Sequence, residues 1–127
     1  MKKHEHHDIR YYIKHLRIEA LSLGVLMVAL THVSSAPLWI LAATFLFFDI
    51  GIIGYKINNR MGAAMYNFFH NATIPTLLIA IGVLWDLEYL SIAGFCWTFH
   101  IALDRTLGYG LKHTSSFKHT HLGKIGK

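Results

Sequence analysis

Charged residues are scarce in this sequence. They make up 15% of its 127 residues, whereas about 25% is usual for a soluble domain. Hydrophobic residues make up 54%, and the mean hydropathy is positive. Because a soluble surface needs more charge than this, we expect a protein whose surface faces lipid. The length of the chain allows a single domain.

Cysteine is almost absent as well. The single Cys96 excludes an internal disulfide, and no CxxC or paired Cys/His spacing of a zinc finger occurs. The sequence also lacks a phosphate-binding loop, a GxSxG motif and an HExxH motif. The net charge is +5, but the basic residues lie at the edges of apolar runs. We therefore expect a lipid bilayer with anionic lipids as the partner, and no nucleic acid.

Four apolar runs are present, each of about the 20 residues that a helix needs to cross a bilayer. They cover about residues 16–35, 38–55, 61–85 and 87–107. Residues 1–15 then form a polar cytoplasmic N-terminal segment, and residues 108–127 form a cytoplasmic C-terminal tail. The predicted fold class is all-α, a four-helix transmembrane bundle over residues 16–107.

The basic residues predict the orientation of this bundle. All 12 Lys and Arg lie in the N-terminal segment, the turn Lys56–Arg60 or the tail, when Arg17 and Arg105 are counted as helix-end residues. By the positive-inside rule, both termini and this turn are cytoplasmic. We expect up-down-up-down topology. Gly51 and Gly54 would allow close helix approach and are candidate contacts of a homodimer.

Ionisable residues inside the four runs lie at similar depths. A rise of about 1.5 Å per residue puts them at the following distances from the cytoplasmic helix ends: Glu19 and Asp104 ~5 Å, Asp49 ~9 Å, His100 ~10 Å and His70 ~13 Å. Charge in hydrocarbon is costly unless it is paired, coordinated or neutralised. We therefore expect one polar cluster in the cytoplasmic half of the membrane, which also includes Asn67.

Three hypotheses for this cluster remain open. In the first it binds zinc, iron or manganese through five candidate ligands: Glu19, Asp49, His70, His100 and Asp104. In the second it is catalytic without metal, with His70 in the catalytic set and His100 as a general base that Asp104 orients. Candidate substrate-binding residues, which would hold an anionic group, are Tyr66, Asn67, Arg105, Lys112 and Lys118. In the third it is a hydrogen-bond network that fixes helix register or relays protons, and Tyr66 is then a packing residue.

Several motifs resemble those of a known family. They are Arg17-Ile-Glu19; Asp49 followed by Gly54-Tyr55; Gly62-Ala63, Tyr66-Asn67 and His70; His100-Ile-Ala-Leu-Asp104-Arg105 with Gly108-Tyr109-Gly110-Leu111-Lys112; and Phe117-Lys118-His119-Thr120-His121-Leu122-Gly123. Over about residues 16–126 the chain resembles a bacterial family of small four-helix membrane proteins known only as a domain of unknown function. The resemblance implies the same architecture and the same polar positions, but no reaction. His119 departs from the family pattern, which has an acidic residue there.

Two functional hypotheses follow. The leading one is a membrane-embedded, metal-dependent enzyme or binder that acts on an anionic, headgroup-like molecule. The alternative is a non-catalytic scaffold or small carrier whose polar cluster is structural or relays protons. In either case Gly108 and Gly110 would let the tail fold back over the helix ends.

Overall fold

The chain is mostly helical. The computed structural model describes residues 2–126, with the side chains of residues 8–126. Its elements are α1 (Lys2–Val33), α2 (Trp39–Ala43), a 3-10 helix (Phe45–Lys56), α3 (Asn59–Phe69), α4 (Thr73–Leu84), α5 (Glu88–Leu107), β1 (Lys112–His113), β2 (Ser116–Thr120) and β3 (Gly123–Lys124). Three helical stretches are long and apolar enough to cross a membrane: Asp8–Val33, Trp39–Lys56 and Asn59–Leu84. The prediction of a mostly helical chain with stretches of membrane-spanning length is therefore confirmed.

Helix α5 is the most buried of the long helices and packs against both α1 and α4. Nine of its 20 residues are buried. Arg17 Nε of α1 donates a hydrogen bond to the Thr106 carbonyl at 2.7 Å, and a Cβ on Gly24 would lie 3.6 Å from the Cβ of Ala102. Because later residues of α1 meet earlier residues of α5, the two helices run antiparallel.

The second predicted run continues as a 3-10 helix after α2. Such a helix has about 3.0 residues per turn, so residues three apart share one face. Phe48, Gly51 and Gly54 have this spacing and all three are buried. At a rise of about 2.0 Å per residue, the 12 residues of this helix cover ~24 Å. This length would cover most of a hydrocarbon core with fewer residues than an α-helix needs.

The glycines of the 3-10 helix face α3 of the same chain. A Cβ on Gly51 would lie 2.7 Å from the Met65 backbone oxygen, and a Cβ on Gly54 would lie 2.9 Å from the Met61 oxygen. Glycine at both positions lets the two backbones approach closely. Because one chain already fills this face, the two glycines give no support to the predicted homodimer, which stays a prediction.

The third predicted run is one membrane-length stretch but not one continuous helix. Helix α3 ends at Phe69 and α4 begins at Thr73. Asn71 Oδ1 accepts hydrogen bonds from the Thr73 backbone N–H at 2.8 Å and from the Thr73 hydroxyl at 2.6 Å. Pro75 follows in the first turn of α4, where its missing N–H has no intrahelical partner to lose. The helix therefore stops and restarts next to His70.

The predicted polar tail folds into a small antiparallel sheet with strand order β1-β2-β3. The prediction of an all-α fold did not include this sheet. Gly108 ends α5 with φ 98°, a left-handed conformation that glycine adopts without steric cost. The reversal brings β1 and β2 against α3. The tail therefore packs beside the helix that ends at His70.

Candidate metal centre

Four ionisable side chains meet inside the helices. Asp49 comes from the 3-10 helix, His70 from the end of α3, and His100 and Asp104 from α5. One candidate ligand atom from each residue lies within 4.8 Å of the other three. His100 is 0% exposed and His70 4%, whereas the side chain of Asp49 is 30% exposed. The cluster is thus buried on the α5 side and more open at Asp49.

The distances within the cluster are short. His70 Nε2 lies 2.9 Å from His100 Nε2, 3.1 Å from Asp104 Oδ2 and 3.5 Å from Asp49 Oδ1. His100 Nε2 lies 3.6 Å from Asp49 Oδ1 and 3.8 Å from Asp104 Oδ2. Both imidazoles therefore direct Nε2 into one small volume. Both carboxylates border the same volume.

The end of α3 orients the His70 ring. Its Nδ1 lies 2.9 Å from the Tyr66 carbonyl oxygen, and because a carbonyl only accepts, Nδ1 carries the proton and donates it. In the neutral ring, Nε2 then directs its lone pair at the cluster. The Tyr66 ring stacks on the imidazole at 3.7 Å between centroids, with 9° between the planes. His70 is thus held as a nitrogen donor by its own helix end.

His100 is packed between aromatic rings. The centroid of Phe45 lies 4.4 Å from that of the imidazole and the centroid of Phe48 5.6 Å. Among the described residues, His100 Nδ1 has no hydrogen-bond partner. The polar contacts of the ring are therefore concentrated at Nε2, the atom that faces the cluster.

Tyr66 connects the imidazoles to Asp104. Its hydroxyl donates a hydrogen bond to Asp104 Oδ2 at 3.1 Å, while its carbonyl accepts from His70. The sequence predicts Tyr66 only as a substrate-binding or packing residue. Its spacing of four residues from His70 places both side chains on one helix face, and this signal could have identified the link.

Two further side chains bind the carbonyls that the helix break leaves free. Trp97 Nε1 donates to the Phe69 carbonyl at 2.5 Å, and an Arg105 guanidinium nitrogen donates to the His70 carbonyl at 3.3 Å. Carbonyls that water cannot reach are costly to leave without a hydrogen-bond partner. Trp97 was missed by the sequence analysis, although it lies one helical turn before His100.

The tail is fastened to α3 directly beside the cluster. Asn67 Nδ2 donates to the Lys112 carbonyl at 2.9 Å, and the Lys112 backbone N–H donates to Asn67 Oδ1 at 2.6 Å. The ammonium nitrogen of Lys112 lies 4.7 Å from the centroid of the Tyr66 ring. Burial lowers the pKa of Lys112, although the negative charges of Asp104 and Asp49 oppose this shift. These contacts hold the tail next to Tyr66, whose hydroxyl bonds Asp104.

Two predicted site residues lie elsewhere. Glu19 is exposed and lines a cavity of about 150 Å³ with Arg105 and His121, outside the group of four. The face of α1 that packs inward includes the buried Ala20 and Met27, and a step of one residue turns Glu19 away by about 100°. Lys118 is exposed on β2. Depth along α1 therefore did not predict the direction of the Glu19 side chain, and the charge of Lys118 did not place it at the cluster.

Comparison with known proteins identifies a family. The family model described as Domain of unknown function (DUF4260) matches residues 13–125. The chain belongs to this family. The resemblance to an uncharacterised family is thereby confirmed, and the candidate centre lies wholly within the matched residues. No curated protein and no solved structure matches the chain.

The Asn67 hydrogen bonds to Lys112 lead to a first prediction. Asn67→Ala should weaken docking of the tail by about 1–3 kcal/mol, because two buried backbone groups of Lys112 lose their partner. Hydrogen exchange of the amides in β1 and β2 should therefore become faster. Asn71→Ala is the matched control. Among the described residues, the Asn71 side chain bonds Thr73 alone, so its loss should leave tail exchange unchanged. Wild-type exchange in Asn67→Ala would contradict the role assigned to this side chain.

Proposed function

We propose that this DUF4260 protein is a membrane protein that binds a divalent transition metal, zinc foremost, through Asp49, His70, His100 and Asp104. The observation that carries the proposal is the convergence of four donor atoms. A tetrahedral site with metal–ligand bonds of about 2.0–2.1 Å has ligand–ligand distances of about 3.3–3.4 Å. Of the six distances between the four donor atoms, the five that involve an imidazole run from 2.9 to 3.8 Å and lie on both sides of that value. All four atoms lie within 4.8 Å of one another.

The charge of the cluster also favours a cation. Two carboxylates and two neutral imidazoles together carry two negative charges in apolar surroundings, which is costly without compensation. A divalent cation supplies that compensation, and imidazole with carboxylate is a donor set that zinc, iron and manganese accept. Asp49 is the most exposed of the four and so the ligand that water or a substrate oxygen would replace most readily. With all four protein ligands bound, a tetrahedral shell is closed, as in structural zinc sites, and it would become catalytic only if Asp49 left or the shell expanded to five ligands.

A second candidate function is a metal-free network that fixes the helices or relays protons. The 2.9 Å approach of the two Nε2 atoms also suits a hydrogen bond in which one imidazole is protonated at Nε2. The Tyr66 hydroxyl and Asp104 would extend that network. Metal content distinguishes this candidate from the metal centre.

Metal analysis is the direct test. Protein purified without a histidine tag should carry about one transition-metal ion per chain, and His70→Ala/His100→Ala should lose it while remaining inserted in the membrane. The matched control is His113→Ala/His119→Ala, which removes two exposed tail histidines and should retain the metal. Inductively coupled plasma mass spectrometry gives the stoichiometry.

Two outcomes of that analysis would contradict the metal centre. One is equal metal content in the wild type and the His70/His100 variant. The other is no metal in the wild type even after reconstitution with zinc, iron and manganese. In the second case, a lower thermal stability of the variant would favour the metal-free network.

The proposed topology is four membrane-spanning segments, α5 being the fourth, with both termini on the cytoplasmic side of a bacterial inner membrane. Trp39, Trp85 and Tyr89 support it, since they are 67%, 66% and 87% exposed and suit an aromatic belt at the far interface. The basic residues lie toward the opposite helix ends, and the metal centre would be in the cytoplasmic half. Helix α5 carries Glu88, His100, Asp104 and Arg105, and the burial of His100 and Asp104 would let such a segment cross the bilayer.

Cysteine labelling tests this topology. In intact cells, a membrane-impermeant maleimide should label His32→Cys and Glu88→Cys, which lie at the far end of the helices. It should leave Arg60→Cys unlabelled until the cells are lysed. All three positions are exposed and the native Cys96 is buried, so the parent protein is the control. Labelling of Arg60→Cys in intact cells would overturn the orientation.

A further inference from the structure

Lys112 is a buried cation without an anionic partner. It is 5% exposed, and its ammonium nitrogen lies 4.0 Å from the centroid of the Phe117 ring and 4.7 Å from that of Tyr66. Among the side chains of residues 8–126, none donates or accepts a hydrogen bond with this nitrogen, and no carboxylate lies within 4.0 Å of it. Aromatic contacts offset only part of the cost of removing an ammonium group from water.

The fold holds this ammonium group in place. The two hydrogen bonds with Asn67 fix the Lys112 backbone against α3, and Phe117 of β2 covers its end. Lysines at membrane interfaces usually extend their charge into water, whereas the Lys112 ammonium group lies against two rings and keeps only a small contact with solvent. The fold thus places a positive charge beside the ring of Tyr66. The Tyr66 hydroxyl bonds Asp104, a candidate metal ligand.

A second unpartnered polar group contacts the same aromatic ring. The Tyr55 hydroxyl is a buried atom without a hydrogen-bond partner among the described residues. The Tyr55 ring meets Phe117 edge to face, with 5.2 Å between centroids. An ammonium group and a hydroxyl, both able to donate hydrogen bonds, thus flank Phe117 with their donor capacity unused.

We propose that Lys112 and Tyr55 bind the phosphate group of a molecule that reaches the metal centre. The inference rests on the proposed function, because a divalent metal would neutralise Asp49 and Asp104 and leave the charge of Lys112 for an external anion. Phosphate offers several acceptor oxygens and suits a lysine point charge. The phosphate is carried either by a lipid headgroup or by a soluble molecule.

The test uses tag-free, zinc-loaded protein that has been desalted and placed in phosphatidylcholine nanodiscs. In one arm, inorganic phosphate is titrated by calorimetry. In the other, native mass spectrometry measures phosphatidic acid retained from nanodiscs that contain it. In whichever arm the wild type binds its ligand, Lys112→Met should weaken that binding about 10-fold or more. Lys124→Met, which removes an exposed lysine of β3, should stay within about 2-fold of the wild type.

Two further variants keep the test independent of folding. Tyr55→Phe removes a hydroxyl that has no internal partner, so the fold should be unaffected and binding should weaken a few-fold. Lys112→Arg retains the charge and should restore most of the affinity that Lys112→Met loses. Lys112-dependent binding in the phosphate arm supports a soluble substrate, and binding only in the lipid arm supports a headgroup.

Two results would overturn the inference. One is the absence of binding by the wild type in both arms, and the other is wild-type affinity in both Lys112→Met and Tyr55→Phe. Zinc content is measured on the same samples. If the protein binds zinc but neither inorganic phosphate nor phosphatidic acid, the proposed metal centre stands and the proposed anion site is wrong. Lys112-dependent phosphate binding by a protein that holds no zinc supports the anion site and contradicts the proposed metal.

Discussion

Two carboxylates and two imidazoles share one buried volume, and so close a group is costly unless a positive charge or a shared proton compensates it. The surrounding elements enclose this group. Helix α5 carries half of the cluster and packs against α1 and α4, so that His100 and Asp104 are buried in protein. The tail covers the adjacent face through Asn67 and Lys112. A central cation would thus make the polar interior compatible with an apolar exterior.

Irregular helices bring the ligands together. At the break after Phe69, the Tyr66 carbonyl accepts hydrogen bonds from both the backbone N–H and the Nδ1–H of His70. Trp97 and Arg105 donate to the Phe69 and His70 carbonyls. The 3-10 helix carries Asp49 while its glycine face lies against α3. Non-helical backbone at membrane depth is tolerated where protein groups satisfy it. The distortions are therefore explained by the site they position.

The sequence predicted the apolar runs and four of the polar residues that meet, because hydrophobic length and helical rise are local properties. It did not predict that Glu19 turns outward, since depth along a helix carries no information on rotation about its axis. Asn71 and Pro75 are residues that favour a break in the helix, and they could have predicted it. The spacing of three residues between Phe48, Gly51 and Gly54 is consistent with a 3-10 helix. The docking of Lys112 on Tyr66 depends on contacts between residues far apart in the chain, which no local pattern records.

The most direct test of the central claim is X-ray absorption spectroscopy at the zinc edge of the loaded protein. The predicted first shell contains only nitrogen and oxygen, at about 2.0–2.1 Å, with the outer-shell scattering of two imidazoles. Zinc-loaded His113→Ala/His119→Ala, which lacks two exposed tail histidines, should keep the same imidazole signal, because the tail histidines are not ligands. A shell of water oxygens without imidazole scattering, or sulfur at about 2.3 Å, would contradict the account.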